Sequence, residues 1–207
     1  MGLWRGRLSA LLLQREQPPQ AGCWALPGAF VALNESLDHA AASVLRAKAG
    51  IDCAHLEQLY TFGAVNRDPR MRIVTVAYLA LLREEQIAAA LRRRPLVAAE
   101  LTGDPLEVMN EDGALLPLAF DHRDILMLAR DRLRGKIDYS DVAFALLPER
   151  FTLRQLQDVH QAILGVSLNK PAFRRRMLDR GRLLATGEQE VDASHRPAEL
   201  FRLRDAV

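Results

Sequence analysis

"WALPGAFVALNESLDHAAASVLRAKAGI", residues 24 to 51, decides how the N-terminal half of the chain folds. Ser36 stands just ahead of apolar residues at helical spacing, Leu37, Ala40, Ala41, Val44 and Leu45, and Gly50 follows them. That is an N-cap, a stripe and a stop in the order a helix requires. Pro27 and Gly28 bend the apolar run that precedes it. Positions 44, 47 and 48 are three and four residues apart and so share one helix face. Carboxylates at all three would cradle Mg²⁺, which takes oxygen ligands in near-octahedral geometry. The residues there are Val44, Ala47 and Lys48: two offer no donor and the third repels a cation. We therefore expect no metal on this helix and no metal-activated water. Lys48, helped by Arg46, is a candidate to meet a diphosphate directly, although a cation near a helix C-terminus also complements its dipole.

Outward from this helix, "GRLSALLLQRE" reads as a strand closed by the turn-rich "QPPQAG". "LEQLYTFGAV" and "MRIVTVAYLALL" read as buried strands joined by the turn "NRDPR". "EEQIAAALRRR" is helix-like, "RPLVAAEL" is ambiguous, and "MNEDGALLPLAF" looks like a hairpin with Asp112 and Gly113 at its tip. Trp24 and Phe30 could stack on a base, and Arg67, Arg70 and Arg72, in and after "NRDPR", could take phosphates beside a cleft. His39, His55, His122, His160 and His195 are too scattered to promise a metal site.

The C-terminal quarter has a different character. "DHRDILMLARDRLRGK" and "YSDVAFALL" read as helices, after which "FTLRQLQDVHQAIL" carries the capping-box pair Thr152 and Gln155. "NKPAFRRRMLDRG" has Asn169 as cap, Pro171 in the first turn and Gly181 at the end. Two short strands close the chain. Helix, compact connection, basic helix and strands are the order of a winged helix-turn-helix. The chain has 28 basic and 26 acidic residues, a net charge of +2 that names no partner by itself. The basic excess is local: residues 151–183 contain Arg154, Lys170, Arg174, Arg175, Arg176, Arg180 and Arg182 against only Asp158 and Asp179. We expect DNA contacts from Lys170, Arg174, Arg175, Arg176 and Arg182, with His195 and Arg196 reaching backbone phosphate from the wing.

Hydrophobic residues make up 49% of the 207, enough for real cores. Cys23 and Cys53 have neither disulfide-framework nor metal-ligand spacing, and no apolar run approaches a membrane span, so a cytoplasmic protein with no membrane partner is expected.

Residues 24–51 resemble the Nudix hydrolase signature, G-x5-E-x7-R-E-U-x-E-E-x-G-U with U apolar. The frame begins at Ala29 and keeps Glu35, Leu45, Gly50 and Ile51, but Ser43 replaces the arginine and Val44, Ala47 and Lys48 replace the three helix glutamates. Three further blocks, "YTFGAVNRDPRMRIVTVAYLAL", "LRGKIDYSDVAFALLPERFTLRQLQDVHQAILGVSLNKPAFRRRML" and "TGE" followed by "HRPAELFRL", resemble the Nudix-related transcriptional regulators called NrtR. In that family a sensor of Nudix fold binds ADP-ribose or a related metabolite, and a winged helix binds a palindromic operator as a dimer.

The resemblance implies an α/β Nudix-like domain, a mixed sheet between helices, over residues 1–120. A helical linker or dimerisation segment at 121–148 and a winged helix-turn-helix at 149–207 would follow. It implies a homodimeric repressor that binds double-stranded DNA, responds to a nucleotide effector of NAD metabolism through Trp24, Phe30, Arg46, Lys48, Arg67, Arg70 and Arg72, and is not an enzyme. Family members usually carry a strand ahead of the segment matching "LWRGRLSALLLQRE", which this chain starts too late to supply, leaving a sheet edge to be covered. Three rivals remain: a hydrolase recruiting Glu84, Glu85, Glu111 or Asp112, a sugar-responsive regulator of the same architecture, and an adaptor whose winged helix docks a protein.

Overall fold

A computed structural model describes residues 1–52, 55–190 and 197–204. The main sheet is built around strand β2 (Arg7–Gln14). On one edge it pairs with β1 (Gly2–Trp4) and, further along, with β3 (Trp24–Ala25); on the other it pairs with β6 (Leu96–Thr102), which pairs in turn with β7 (Glu107–Met109). All these pairings are antiparallel, but parallel bridges from Gly2 to Leu82 and from Trp24 to Leu118 make the assembly mixed. Strand periodicity explains the layers. Leu8, Ala10 and Leu12 of β2 join Ala99 and Leu101 of β6 in one core, whereas Leu11 joins Leu96 and Ala98 in a second.

The second core is roofed by α1 (Leu37–Ala49) and α2 (Glu84–Arg93), which contribute Ala49, Ile87 and Ala90. The first is roofed by α3 (His122–Lys136), through Ile125, Leu126, Ala129 and Leu133. The sheet thus lies between helices, as the sequence implied. Four corrections come with it. "RPLVAAEL", ambiguous in sequence, is the central strand β6. Residues 2–4 form β1, so part of the edge thought bare is paired. β1 also stitches the main sheet to a separate ribbon, β4 (His55–Phe62) with β5 (Thr75–Leu81), since Leu82 N–H donates to the Met1 carbonyl. A side chain at Gly2 would collide with the Leu82 carbonyl, so this close approach requires glycine.

The ribbon supplies the third correction. β4 was expected to be buried, yet only its Leu59 is, and Tyr60 is 58% exposed. The ribbon has one covered face, and a bulge between Gln58 and Tyr60 turns the rest outward. Fourth, the "YSDVAFALL" helix is reduced to α4 (Val142–Ala145), because the Ser140 hydroxyl accepts from Val142 N–H and holds the chain in a turn up to that point.

The C-terminal module follows the sequence closely. β8 (Phe151–Thr152) leads into α5 (Leu153–Leu164), where Thr152 and Gln155 form the expected capping box. Asn169 caps α6 (Lys170–Asp179) by accepting from Ala172 N–H. β9 (Leu183–Gln189) and β10 (Glu199–Leu203) form the wing, with β10 also pairing β8. The "TGE" block is a local kink within β9. Gly187 adopts φ of 78°, the Thr186 hydroxyl donates to the Leu200 carbonyl, and Glu188 pairs with Arg150. One continuous core runs from β2 through α3 and α5 to Phe173, Met177 and Phe201, and Arg134 of α3 donates to the Ile163 carbonyl of α5.

Candidate functional site

On α6, burial and charge are sorted by helical period. Phe173 and Met177, four apart, are buried, while Arg174, Arg175 and Arg176 are exposed. Arg175 lies two residues from each buried neighbour and so projects from the opposite side of the helix, with Arg174 and Arg176 on its flanks. Ala172, Arg175, Arg176, Asp179 and Arg180 line a shallow, open concavity on this outward face. Among the described residues, Lys170, Arg174 and Arg175 have no ion-pair partner. Arg176 and Arg180 approach Asp138 at 3.4 and 3.8 Å, and one terminal nitrogen of Arg182 donates to both carboxylate oxygens of Asp141 at 2.9 and 2.8 Å. His195 and Arg196, expected at the wing, lie outside the described residues.

The N-terminal candidates are dispersed by comparison. On α1, Ser36 accepts from His39 N–H and Gly50 closes the helix at φ of 68°, as the sequence indicated. Val44 is half-buried, and Ala47 and Lys48 are exposed, so the face keeps the position of a metal cradle without its chemistry. Two of these side chains bring no oxygen and the third is cationic, so the residues present do not fit a divalent ion. Among the described residues no three His, Cys, Asp or Glu side chains gather where a metal could sit. Arg46 is bound to Asp52 at 2.6 Å, whereas Lys48 has no polar partner among the described residues. Glu35 pairs with His39, and Asp38 accepts from the Tyr78 hydroxyl, which raises the pKa of that phenol.

The three arginines of the β4–β5 connection have different settings. Arg67 is buried, with Nε and one terminal nitrogen on the Asp121 carboxylate at 2.8 and 2.7 Å and the other on Thr75 Oγ1 at 2.6 Å. Arg70 is half-exposed and clasps Asp68. Its side-chain and backbone hydrogen bonds hold the Asp68 carboxyl down at about 2. Arg72 is exposed. Trp24 is half-buried in β3 with its backbone paired to Pro117 and Ala119, and Phe30 is 80% exposed on the loop before α1.

Sequence reading missed what connects Trp24 to Arg67. Leu26 N–H donates to His122 Nδ1 at 3.0 Å, at the start of α3 beside Asp121. Burial pushes the His122 pKa down to about 4, with Arg67 and Arg15 adding to the fall and Asp121 opposing it. The ring is therefore neutral at pH 7, with its proton on Nε2. The only sequence signal was "DH" at a helix start, and its partners are distant in the chain. The acids nominated for a hydrolase are also committed. Glu84 accepts from Arg5 N–H, and Glu111 binds both Trp4 Nε1 and Arg5. Glu85 lies 3.8 Å from Arg83, and the Asp112 carboxylate accepts from Asn110 Nδ2 at 3.5 Å while its backbone N–H donates to Asn110 Oδ1.

Comparison with known proteins bears on both halves. Residues 143–203 match the model of the NrtR DNA-binding winged helix domain. That match starts at α4, inside the segment read from sequence as a linker. The chain is 39% identical to the ADPR responsive transcriptional repressor NtrR of Acinetobacter baylyi over 201 residues, 96% of this chain and 76% of that protein. It is 28% identical over 129 residues to the ADP-ribose pyrophosphatase of Methanocaldococcus jannaschii, covering 61% of this chain and 66% of that enzyme. The crystal structure of Shewanella oneidensis NrtR complexed with a 27mer DNA superposes with a TM-score of 0.81 at 33% identity, covering 98% of this chain and 90% of that one. The arrangement of a Nudix-like α/β domain followed by a winged helix is thus shared with the Shewanella NrtR structure, and the chain belongs to the NrtR family of Nudix-related transcriptional regulators.

Proposed function

We propose that this protein is a transcriptional repressor whose winged helix grips duplex DNA through α6 and whose N-terminal domain holds an ADP-ribose-type nucleotide without cleaving it. The observation that carries the reading is α6 itself: three consecutive exposed arginines on a helix anchored from behind by Phe173 and Met177. Such a helix suits a major groove, with arginine able to meet guanine edges and backbone phosphates alike. The repressor named in Acinetobacter and the DNA complex of the Shewanella protein support it. As a homodimer on a palindrome the protein would neutralise roughly 6 to 8 phosphates, giving a log K against log salt slope near −5 to −7, with half-sites about one helical turn apart. The reading places the protein in the cytoplasm, with its DNA.

In the sensor, Phe30 and Lys48 are the open candidates for base and diphosphate, with Arg72 beside them in role. Loss of the carboxylates on α1 removes the means of activating water while leaving a cation for the ligand, so the nucleotide is a signal and not a substrate. Similarity to an ADP-ribose pyrophosphatase makes hydrolysis the competing reading. One experiment separates them. Operator duplexes selected from random DNA are titrated with the protein, with and without ADP-ribose, and the same mixtures with Mg²⁺ are followed for AMP and ribose phosphate. ADP-ribose-dependent change in DNA affinity without turnover is expected; multiple turnovers would overturn the sensor reading, and affinity indifferent to ADP-ribose would remove the nucleotide from it.

A further inference from the structure

Three arginines of the DNA-binding module already have anionic partners, and both partners lie in one short segment. α3 ends at Lys136, and residues 137–141 carry the chain on to α4. The segment is fixed. Ile137 and Val142, at its two ends, are buried, Tyr139 and Ser140 N–H both donate to the Lys136 carbonyl, and the Ser140 hydroxyl donates to the same oxygen. Asp138 and Asp141 are thereby held against α6 and the start of the wing. Asp138 stands 3.4 Å from Arg176 and 3.8 Å from Arg180, and Asp141 stands 2.8 Å from Arg182. Asp141 precedes α4 but its carboxylate makes no capping hydrogen bond, and both side chains are about half-exposed.

Resting on the DNA-binding reading, we infer that Asp138 and Asp141 are tuning residues that compete with DNA phosphate for Arg176, Arg180 and Arg182 and so hold duplex affinity below what the arginines alone would give. In the free protein Asp141 occupies a guanidinium donor of Arg182, Asp138 stands within ion-pair distance of Arg176 and Arg180, and both carboxylates repel the phosphates that would replace them. Arginine is the side chain for such an exchange, because its planar fork takes a carboxylate or a phosphate in the same bidentate way. The position of the segment matters. The first residues of α3 are fastened to the candidate effector side by Asp121 on Arg67 and His122 on Leu26 N–H, and its last turn is fastened to β4 by Lys136 on Glu57 at 2.8 Å. The two aspartates follow directly from that turn, so a shift of α3 would move them along the arginines.

The test uses the full chain and a mixed-sequence duplex, since phosphate contacts are independent of sequence. Binding of the wild type, Asp138→Asn, Asp141→Asn and the double variant is measured from about 50 to about 200 mM salt. The double variant is expected to bind roughly tenfold more tightly at the low end, the sum of two or three exposed pairs. The gain should shrink as salt rises, because the same salt screens the pairs in the wild type. Thermal unfolding of each variant confirms folding, and Asp141→Ser serves in place of Asp141→Asn where that variant is unstable. Unchanged or weakened binding by the double variant, with the wild type binding normally, would overturn the competition alone. A wild type with no salt-dependent duplex affinity would overturn the DNA-binding reading beneath it.

Discussion

Two arginine clusters were nominated from sequence, one between β4 and β5 and one on α6, and the structure treats them oppositely. In the first, Arg67 is turned inward onto Asp121 and Arg70 folds back on Asp68, leaving Arg72 exposed. In the second, all three consecutive arginines are exposed, and among the described residues only Arg176 has an acid in reach, Asp138 at 3.4 Å. The difference is geometric. A helix with Phe173 and Met177 sealed into the core has only its remaining faces for long cations, whereas an irregular connection lets each arginine seek the nearest carboxylate. Charge on a helix with a buried face is therefore a reliable sign of an outward interface. Charge in a loop is not.

The largest effect is expected at Arg67. Arg67→Ala leaves Asp121 charged and half-enclosed, and is expected to cost about 3–5 kcal/mol of stability in denaturant unfolding. A variant of native stability that had lost only effector binding would show Arg67 to be a ligand contact instead. The neighbouring His122 gives a second test of the same buried cluster. Its pKa in the folded protein, about 4, lies below the unfolded value of 6.5. Its contribution is thus complete above about pH 6.5 and is lost as pH falls toward about 4, on the order of 3 kcal/mol across that window. His122→Gln should flatten the decline of unfolding free energy in that range without abolishing it, because buried His160 is also held below its usual pKa. NMR titration of Arg67→Ala should show the His122 pKa rising, since a depressing cation is gone and Asp121 remains.

On α6 the expectation reverses. Replacing Arg174, Arg175 and Arg176 together by Ala should change unfolding free energy by less than about 1 kcal/mol, because exposed positions contribute little. Duplex affinity should fall on the order of a hundredfold near physiological salt, with a shallower salt slope, by fluorescence anisotropy. The smallest effect belongs to the helix end: Asn169→Ala removes the acceptor for Ala172 N–H and should lower stability by about 1 kcal/mol.

What was legible in the sequence is what local chemistry determines. The caps Ser36, Thr152 and Asn169, the stop at Gly50 and the outward arginines of α6 all depend on residues within a turn or two of each other, whereas the sheet between helices was readable only through the resemblance. What was illegible depends on distant partners. Arg67 and Asp121 are 54 positions apart, and Arg182 and Asp141 are 41 apart, so nothing in either neighbourhood announces the pair. The exposed side of β4 was misjudged for a related reason: its apolar residues look like a buried strand until it is known that, among the described residues, β5 is its only ladder partner. The empty chemistry of α1 stood in plain view, because replacing three acids at one helical face by Val44, Ala47 and Lys48 needs no tertiary information to interpret.

The unbroken interior that passes from β2 through α3 to Phe201 has a consequence for how the molecule comes apart. Sensor and reader were legible as separate modules, but they share a seam of buried side chains and should melt together as a single cooperative unit. Excising 143–203 would strip α3 from Leu156 and Ile163, leaving oily surface where a wall had been, so the isolated reader is expected to be less stable and stickier than the same module in the full chain.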